Sequence, residues 1–102
     1  MNTPKISKRL EAAASLVRRG ARIADIGTDH AYLPIYLYTV GATSGGVVSD
    51  INQGPVNRAI ANLRDYACEG AFVAQRADGL SGVLEHRPDD IFILGKIGRA
   101  HV

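Results

Sequence analysis

Three aspartates in this sequence stand where a parallel sheet would bring them together. Asp25 interrupts an apolar run, Ile23–Ile26, which stops at Gly27. Asp50 ends a second apolar run, and Asp78 follows a third. The carboxyl ends of parallel strands meet at one edge of a sheet, and α/β proteins bind ligands in the crevice at that edge. We therefore predict that the three carboxylates line one crevice.

The spacing of these residues suits a ligand that contains adenosine. Gly27 lets the backbone approach a ligand closely, because glycine has no Cβ. Asp50 lies 23 residues after Gly27, where a carboxylate can accept hydrogen bonds from both ribose hydroxyls. Asp78 can accept from an exocyclic amine, and Leu80, which follows Gly79, can flank a purine ring. An aspartate after a strand is often only a cap or turn residue, so the prediction depends on all three together.

The loop after the first apolar run decides between two kinds of adenosine cofactor. A dinucleotide needs its pyrophosphate on a helix N-terminus that opens with several glycines. Residues 27–32 contain one glycine and an added negative charge, Asp29. Asp25 and Asp29 would instead attract a cationic ligand, which favours S-adenosylmethionine, with its ammonium and sulfonium groups, over NAD. An NAD-linked oxidoreductase half-domain and a non-catalytic nucleoside-binding module remain as alternatives.

Strands and helices must alternate along the chain to hold these residues. Apolar periodicity and the positions of Ser, Pro and Gly predict a chain of this kind. Helices are expected at 7–19, 34–40 and 54–68, strands at 22–26, 47–50, 72–73 and 91–94, and a short helical turn at 81–84. Such alternation is typical of an α/β fold with a parallel sheet and right-handed crossovers.

Composition limits the class of protein. The 102 residues, 46% hydrophobic and 22% charged, fit one small globular domain, and no apolar stretch is long enough for a signal peptide or a membrane span. The single cysteine, Cys68, excludes a disulfide framework and suits a reducing, cytoplasmic location. We interpret Cys68 as a core residue, since no second thiol or patterned histidines indicate a metal site.

Several motifs resemble the bacterial tRNA (adenine-22-N1)-methyltransferase family, over about residues 5–95. They lie at residues 6–10, 24–34, 54–55 and 78–80, and the most specific is the Asp-His-Ala-Tyr-Leu-Pro segment at 29–34. The resemblance implies a Rossmann-like class I methyltransferase fold with sheet order 3-2-1-4, truncated after strand four. It implies S-adenosylmethionine as the methyl donor, with Asp25 and Gly27 at its methionine end, Asp50 at the ribose and Asp78 at the adenine.

The resemblance also implies an acceptor, N1 of an adenine in tRNA. This nitrogen carries a free lone pair at neutral pH, so the reaction needs positioning more than a general base. The candidates for this role are Asp29, His30 and Tyr32, in the loop above the cofactor. Each has a structural alternative, because Asp29 can cap the next helix, His30 can bond the backbone, and Tyr32 can be a core aromatic.

A basic N-terminal segment offers a contact for tRNA. Residues 1–22 hold six Lys and Arg against one Glu, a formal charge of +5, and the remainder of the chain carries −3. A basic helix can bind a phosphate backbone, although a solvated helix face is the commoner explanation. The residues expected at such a contact are Lys5, Lys8, Arg9, Arg18 and Arg19.

The last seven residues fit neither the family nor a continuation of strand four. The family's Gly-Met-Gly-Gly motif is matched only by Gly95. Residues 96–102 can be encoded by AAG-ATC-GGA-AGA-GCA-CAC-GTC, which reads as a sequencing-library adapter from the second base onward. We therefore predict a methyltransferase segment at 1–95 and a non-native tail at 96–102. Strand four would then be an open edge, and the isolated chain marginally stable, prone to aggregation and weak or inactive as a catalyst.

Overall fold

A twisted sheet with helices packed on one face organises the chain. The computed structural model describes residues 3–28, 30–93 and 96–99. Within those residues the helices are α1 (Lys8–Ala14), α2 (Tyr32–Thr39) and α3 (Gln53–Asp65), and a short 3-10 helix spans Leu84–His86. The strands are β1 (Ala21–Ile26), β2 (Thr43–Asp50), β3 (Phe72–Arg76), β4 (Asp90–Ile93) and β5 (Lys96–Arg99).

The sheet order is β3-β2-β1-β4-β5. The first four strands are parallel to their neighbours, with Asp25 of β1 opposite Val48 of β2 and Phe92 of β4. The predicted α/β fold with the order 3-2-1-4 is therefore confirmed.

The prediction that strand four is an open edge is wrong. The backbone of Lys96–Arg99 pairs antiparallel with β4, so that Asp90 lies opposite Arg99 and Ile93 opposite Lys96. An unpaired edge strand presents a row of free amide and carbonyl groups, which this pairing satisfies. The residues joining the two strands, Leu94 and Gly95, lie outside the described part of the chain. The non-native origin of residues 96–102 stays a prediction.

The two faces of the sheet are covered differently. Because side chains alternate along a strand, Ile23, Val48 and Phe92 share one face, and they pack in a core with residues from all three α-helices. Cys68 belongs to this core, as expected. The other face buries a smaller cluster under Val83 of the β3–β4 connection, formed with Ala24, Ile26, Val47 and Ile91.

The first two helices depart from their predicted bounds. Ser7 caps α1, accepting from the Leu10 amide at 3.2 Å, as expected. The helix ends at Ala14 instead of 19, because the Leu16 and Val17 amides turn to carbonyls three residues back. Helix α2 begins two residues before Pro34, and its N-cap, Ala31, has a left-handed conformation (φ 60°) and no side-chain cap bond.

Strand β2 begins earlier than predicted, at Thr43, because two glycines form part of it. Gly46 has φ +152°, and a Cβ there would overlap the carbonyl oxygen of Ile23 in the neighbouring strand. Only glycine therefore lets β1 and β2 approach each other at this point. In the described part of the chain, no helix has the length and apolar character needed to cross a membrane.

Candidate functional site

A cleft of about 370 Å³ lies at the carboxyl end of the parallel strands. Its walls come from the segments that follow β1, β2 and β3 and from the end of β4. The lining residues are Ile26, Gly27, Asp50, Ile51, Asn52, Ala77, Asp78, Gly79 and Ile93. These include two carboxylates, and among the described residues that line the cleft there is no Lys or Arg.

Gly27 turns the chain over the top of β2. Its φ of +73° is one that residues with a side chain rarely adopt. The Gly27 amide donates to the Ser49 carbonyl at 2.9 Å, and the Thr28 amide points to the same oxygen at 3.5 Å. Gly27 therefore lines the cleft without a side chain, and its predicted close approach to a ligand stays a prediction.

Asp50 lies at the end of β2, with only 9% of its surface exposed. Its Oδ1 accepts from the Asn52 amide at 2.9 Å, which fixes the carboxylate at the start of α3. A carboxylate has about four acceptor positions on its two oxygens. Asp50 therefore keeps the capacity to accept hydroxyl groups from a ligand in the cleft.

The third predicted group reaches the cleft in part. Asp78 and Gly79 line it, and the Asp78 carbonyl accepts from the Ser81 amide at 3.0 Å within the same turn. Leu80 is 48% exposed and is not among the lining residues. The Arg76 guanidinium donates from Nε to the Ile51 carbonyl at 3.1 Å, which ties this turn to the segment after β2.

Asp25 lies beside the cleft, not in its lining. It faces the helix-covered side of the sheet and is 4% exposed. Burial raises the pKa of Asp25 to about 7. The Thr28 hydroxyl, which faces the carboxyl without reaching strict hydrogen-bond geometry, opposes this shift, and the Asp50 carboxylate adds to it. The Asp25 and Asp50 carboxylates are therefore close enough for the charge of Asp50 to act on Asp25.

The loop between β1 and α2 carries the predicted catalytic residues. Asp29 lies outside the described residues. The rings of His30 and Tyr32 stack, with centroids 5.2 Å apart and planes 14° from parallel. Tyr32 is 39% exposed, so it is not the core aromatic of the alternative interpretation. The His30 carbonyl accepts from Nδ2 of Asn62 at 2.9 Å.

Sequence reasoning missed the apolar walls of the cleft. Ile51 and Ile93 are about half exposed, at 54% and 48%, in spite of their size. Ile51 directly follows Asp50, so its place after a strand was a usable signal. Ile93 has no such signal, because its position depends on β4 lying next to β1.

The basic N-terminal residues fall into two groups. Lys5, Lys8 and Arg9 are exposed around the start of α1. Arg18 lies at the amino end of the strands, where its Nη2 is 3.8 Å from Oδ1 of the buried Asp90. Arg18 and the adjacent Arg19 are therefore at the opposite edge of the sheet from the cleft. Within the described ranges, no three His, Cys, Asp or Glu residues come together as a metal site.

Known proteins share this sequence and architecture. The family model for methyltransferase domains matches residues 6–101. A Bacillus subtilis (strain 168) protein, tRNA (adenine(22)-N(1))-methyltransferase, is 36% identical over 104 residues, which cover 100% of this chain and 44% of that protein.

Solved structures agree with the sequence comparison. The structure of M. capricolum TrmK with S-adenosyl-homocysteine has a TM-score of 0.81 at 38% identity, covering 86% of this chain and 40% of that one. Streptococcus pneumoniae Sp1610, a putative tRNA (m1A22) methyltransferase solved with S-adenosyl-L-methionine, has a TM-score of 0.82 at 36% identity, covering 87% and 42%. The chain thus spans less than half the length of these relatives. It belongs to the family of methyltransferase domains, and its resemblance to the tRNA (adenine-22-N1)-methyltransferases is confirmed over the part of those proteins that it spans.

Proposed function

We propose that this chain is the cofactor-binding part of an S-adenosylmethionine-dependent tRNA adenine-N1 methyltransferase. The observation that carries the proposal is the cleft that brings Gly27, Asp50 and Asp78 together at the carboxyl end of the sheet. Relatives at 36–38% identity were solved with the methyl donor or its product. The relatives themselves are more than twice as long as this chain, so the activity of the whole protein is part of the proposal.

The lining of the cleft fits a cofactor without phosphate. Its two carboxylates would repel a pyrophosphate, and no Lys or Arg is among the described lining residues to offset this repulsion. The half-exposed Ile51 and Ile93 offer apolar surface to an adenine ring. In the proposed arrangement Asp50 accepts from the ribose hydroxyls, and Asp78 with Gly79 borders the adenine. Leu80, which directly follows Gly79 but does not line the cleft itself, flanks the adenine ring.

The methionine end of the cofactor is assigned to Gly27 and Asp25. Gly27 leaves space for it beside the turn, and Asp25 supplies negative charge from the buried side of that turn. A carboxylate that lies among apolar groups attracts an ammonium strongly, because little water screens the interaction. S-adenosylmethionine, when bound, supplies a methyl group on a sulfonium.

The acceptor side of the reaction is assigned to the loop before α2. Adenine N1 needs no base before it attacks, so the task of the chain is to orient the base and to stabilise positive charge on it. The exposed Tyr32, stacked on the half-buried His30, offers an aromatic surface for a nucleobase. Asp29 would add negative charge at the same loop.

The tRNA contact is assigned first to Lys5, Lys8 and Arg9. Arg18 and Arg19 lie beyond the far end of β1, a strand of six residues and roughly 17 Å. They would bind the phosphate backbone only at a distance from the target base. A tRNA substrate also supports the cytoplasmic location expected from the sequence.

Calorimetric titration of the chain with S-adenosyl-homocysteine and with NADH tests the cofactor. We expect binding of the first and none of the second, and the reverse result would favour the oxidoreductase alternative. Methyl transfer to unmodified tRNA, measured with this chain and with a full-length relative, tests the reaction. A chimera in which this chain replaces the corresponding part of that relative, and which binds S-adenosyl-homocysteine but methylates no tRNA, would indicate a non-catalytic module.

A further inference from the structure

The loop that carries His30 is held to a distant helix. Nδ2 of Asn62, on α3, donates to the His30 carbonyl at 2.9 Å, a contact between residues 32 positions apart. At its other end the same loop is fixed by the Gly27 amide on the Ser49 carbonyl. The segment from 27 to 31 is therefore tied at one end to β2 and at the other to α3.

The backbone of this loop needs such a tie. Ala31 is fully buried and has a left-handed conformation, which is unfavourable for a residue with a Cβ. Helix α2, which starts directly after it, has no side-chain N-cap bond to fix its first turn. The entry into α2 thus depends on contacts from other elements.

Helix α3 is a suitable anchor because it is itself fixed to the cleft. It starts directly after Asn52, which lines the cleft and whose amide donates to Asp50. The side chains of Ala59, three residues before Asn62, and of Leu63, directly after it, are buried in the main core. A displacement of the loop relative to α3 would therefore be a displacement relative to Asp50.

We propose that Asn62 is a positioning residue for the methyl-transfer site, a role that rests on the proposed function. Its side-chain amide holds the backbone at His30 and so sets the place of the His30–Tyr32 stack relative to the cleft. Asn62 touches neither cofactor nor acceptor base in this role, and acts through the loop.

The substitution Asn62→Asp tests this with almost no change in shape. It removes the donor and places a carboxylate oxygen against the His30 carbonyl. We expect the affinity for S-adenosyl-homocysteine to fall about fivefold, the typical consequence of losing one hydrogen bond. We also expect faster amide exchange at Ala31, whose N–H donates to the Thr28 carbonyl at 3.2 Å within the loop. Asn62→Gln keeps the donor and should restore part of both properties.

The matched control is Asn57→Asp, the same change on the same helix. Asn57 is exposed and accepts from Gln53 of its own helix at 2.9 Å, so its substitution should leave affinity and Ala31 exchange at wild-type values. Amide exchange of Ala24, in the middle of β1, reports whether each variant is folded.

The amide-exchange measurement needs no cofactor, so it tests the positioning role of Asn62 separately from the proposed function. Wild-type exchange at Ala31 in a folded Asn62→Asp variant would overturn the positioning role. Faster exchange with unchanged affinity for S-adenosyl-homocysteine would overturn it too, because the position of the loop would then have no effect on binding in the cleft. Failure of the wild-type chain to bind S-adenosyl-homocysteine would count against the proposed function, whereas the Ala31 exchange would still decide whether Asn62 anchors the loop.

Discussion

The two ends of the sheet use aspartate in opposite ways. At the amino end, Oδ2 of Asp89 accepts from the Arg22 amide at 2.9 Å, and the Asp89 amide donates to the Arg22 carbonyl at 2.7 Å. Arg22 also donates from Nε to the His86 carbonyl, and Arg18 lies 3.8 Å from Asp90. At the carboxyl end, Asp50 borders a cleft whose described lining has no basic side chain.

This difference indicates where a ligand is needed. At the amino end the protein supplies its own donors and cations, so the carboxylates serve the fold. At the carboxyl end negative charge accumulates without a described cation in the cleft, which costs free energy in the empty protein and becomes favourable when a cationic ligand binds. The comparison predicts that neutralising an aspartate at the carboxyl end weakens binding and relieves an electrostatic cost to stability, whereas removing one at the amino end lowers stability and leaves binding unchanged.

The largest effect is expected from Asp25→Asn on stability. Since burial raises the pKa of Asp25 to about 7 from 3.8, the folded protein holds a proton that the unfolded chain releases. Wild-type stability should therefore fall as pH rises from about 4 to about 7 and stay constant above that, by up to about 4 kcal/mol from this group. Asparagine does not titrate, so the free energy of unfolding of the variant should rise relative to that of the wild type over the same pH interval.

Urea unfolding at three pH values between about 4.5 and 8 measures this difference. Asp78→Asn is the matched control, because its carboxylate is exposed. Parallel pH profiles for wild type and Asp25→Asn would show that Asp25 is charged in the folded protein throughout.

The same residue should make ligand binding depend on pH. An ammonium group near Asp25 binds the carboxylate and not the neutral acid, so the affinity for S-adenosyl-homocysteine should rise about fivefold from pH 6 to pH 7, reach about tenfold by pH 8 and level off above that. Binding near pH 7 should release a proton, which calorimetry in two buffers of different ionisation enthalpy detects. The absence of proton release would mean that Asp25 does not interact with the bound ligand.

The largest effect on affinity is expected from Asp50→Asn. The amide oxygen can still accept from the Asn52 amide, so the fold should hold. Losing the charge weakens two hydrogen bonds to the ribose hydroxyls, and we expect the affinity for S-adenosyl-homocysteine to fall about 100-fold. Asp89→Ala is the counterpart at the amino end, and it removes the acceptor of the Arg22 amide, so it should lower the urea midpoint while leaving affinity unchanged. Equal losses of affinity in both variants would remove the distinction between the two ends.

Local patterns predicted the elements of the site that depend on sequence neighbours. Strand ends follow from where apolar runs stop, so Gly27, Asp50 and Asp78 reached the cleft as expected. The sheet order came with the family resemblance. Asp25 lies near the strand end, as predicted, but outside the lining of the cleft, because its side chain is buried on the helix-covered face of the sheet; its contact with the cofactor stays a prediction.

Contacts between distant parts of the chain could not be predicted. Asn62 reads as an ordinary helix residue until α3 is packed against the loop 32 positions earlier. Gly46 reads as a turn residue until β1 lies next to it. The pairing of Lys96–Arg99 with β4 was missed because it depends on strand packing, whereas the coding pattern of residues 96–102 says nothing about structure. An independently sequenced copy of the gene tests the predicted origin of that segment.

The smallest effect is expected from Arg18→Gln, at the amino end. The ion pair with Asp90 is long at 3.8 Å, and the Arg18 side chain is 59% exposed, so solvent screens most of its energy. We expect a loss of about 0.5 kcal/mol in the free energy of unfolding, which shrinks further in high salt. Arg19→Gln is the control, because the adjacent side chain is exposed as well and should change stability less. Affinity for S-adenosyl-homocysteine should stay at the wild-type value in both variants, since both arginines lie a full strand length from the cleft. A fall in affinity for Arg18→Gln would mean that the two ends of the sheet are coupled, and that the aspartates at the amino end do more than hold the fold.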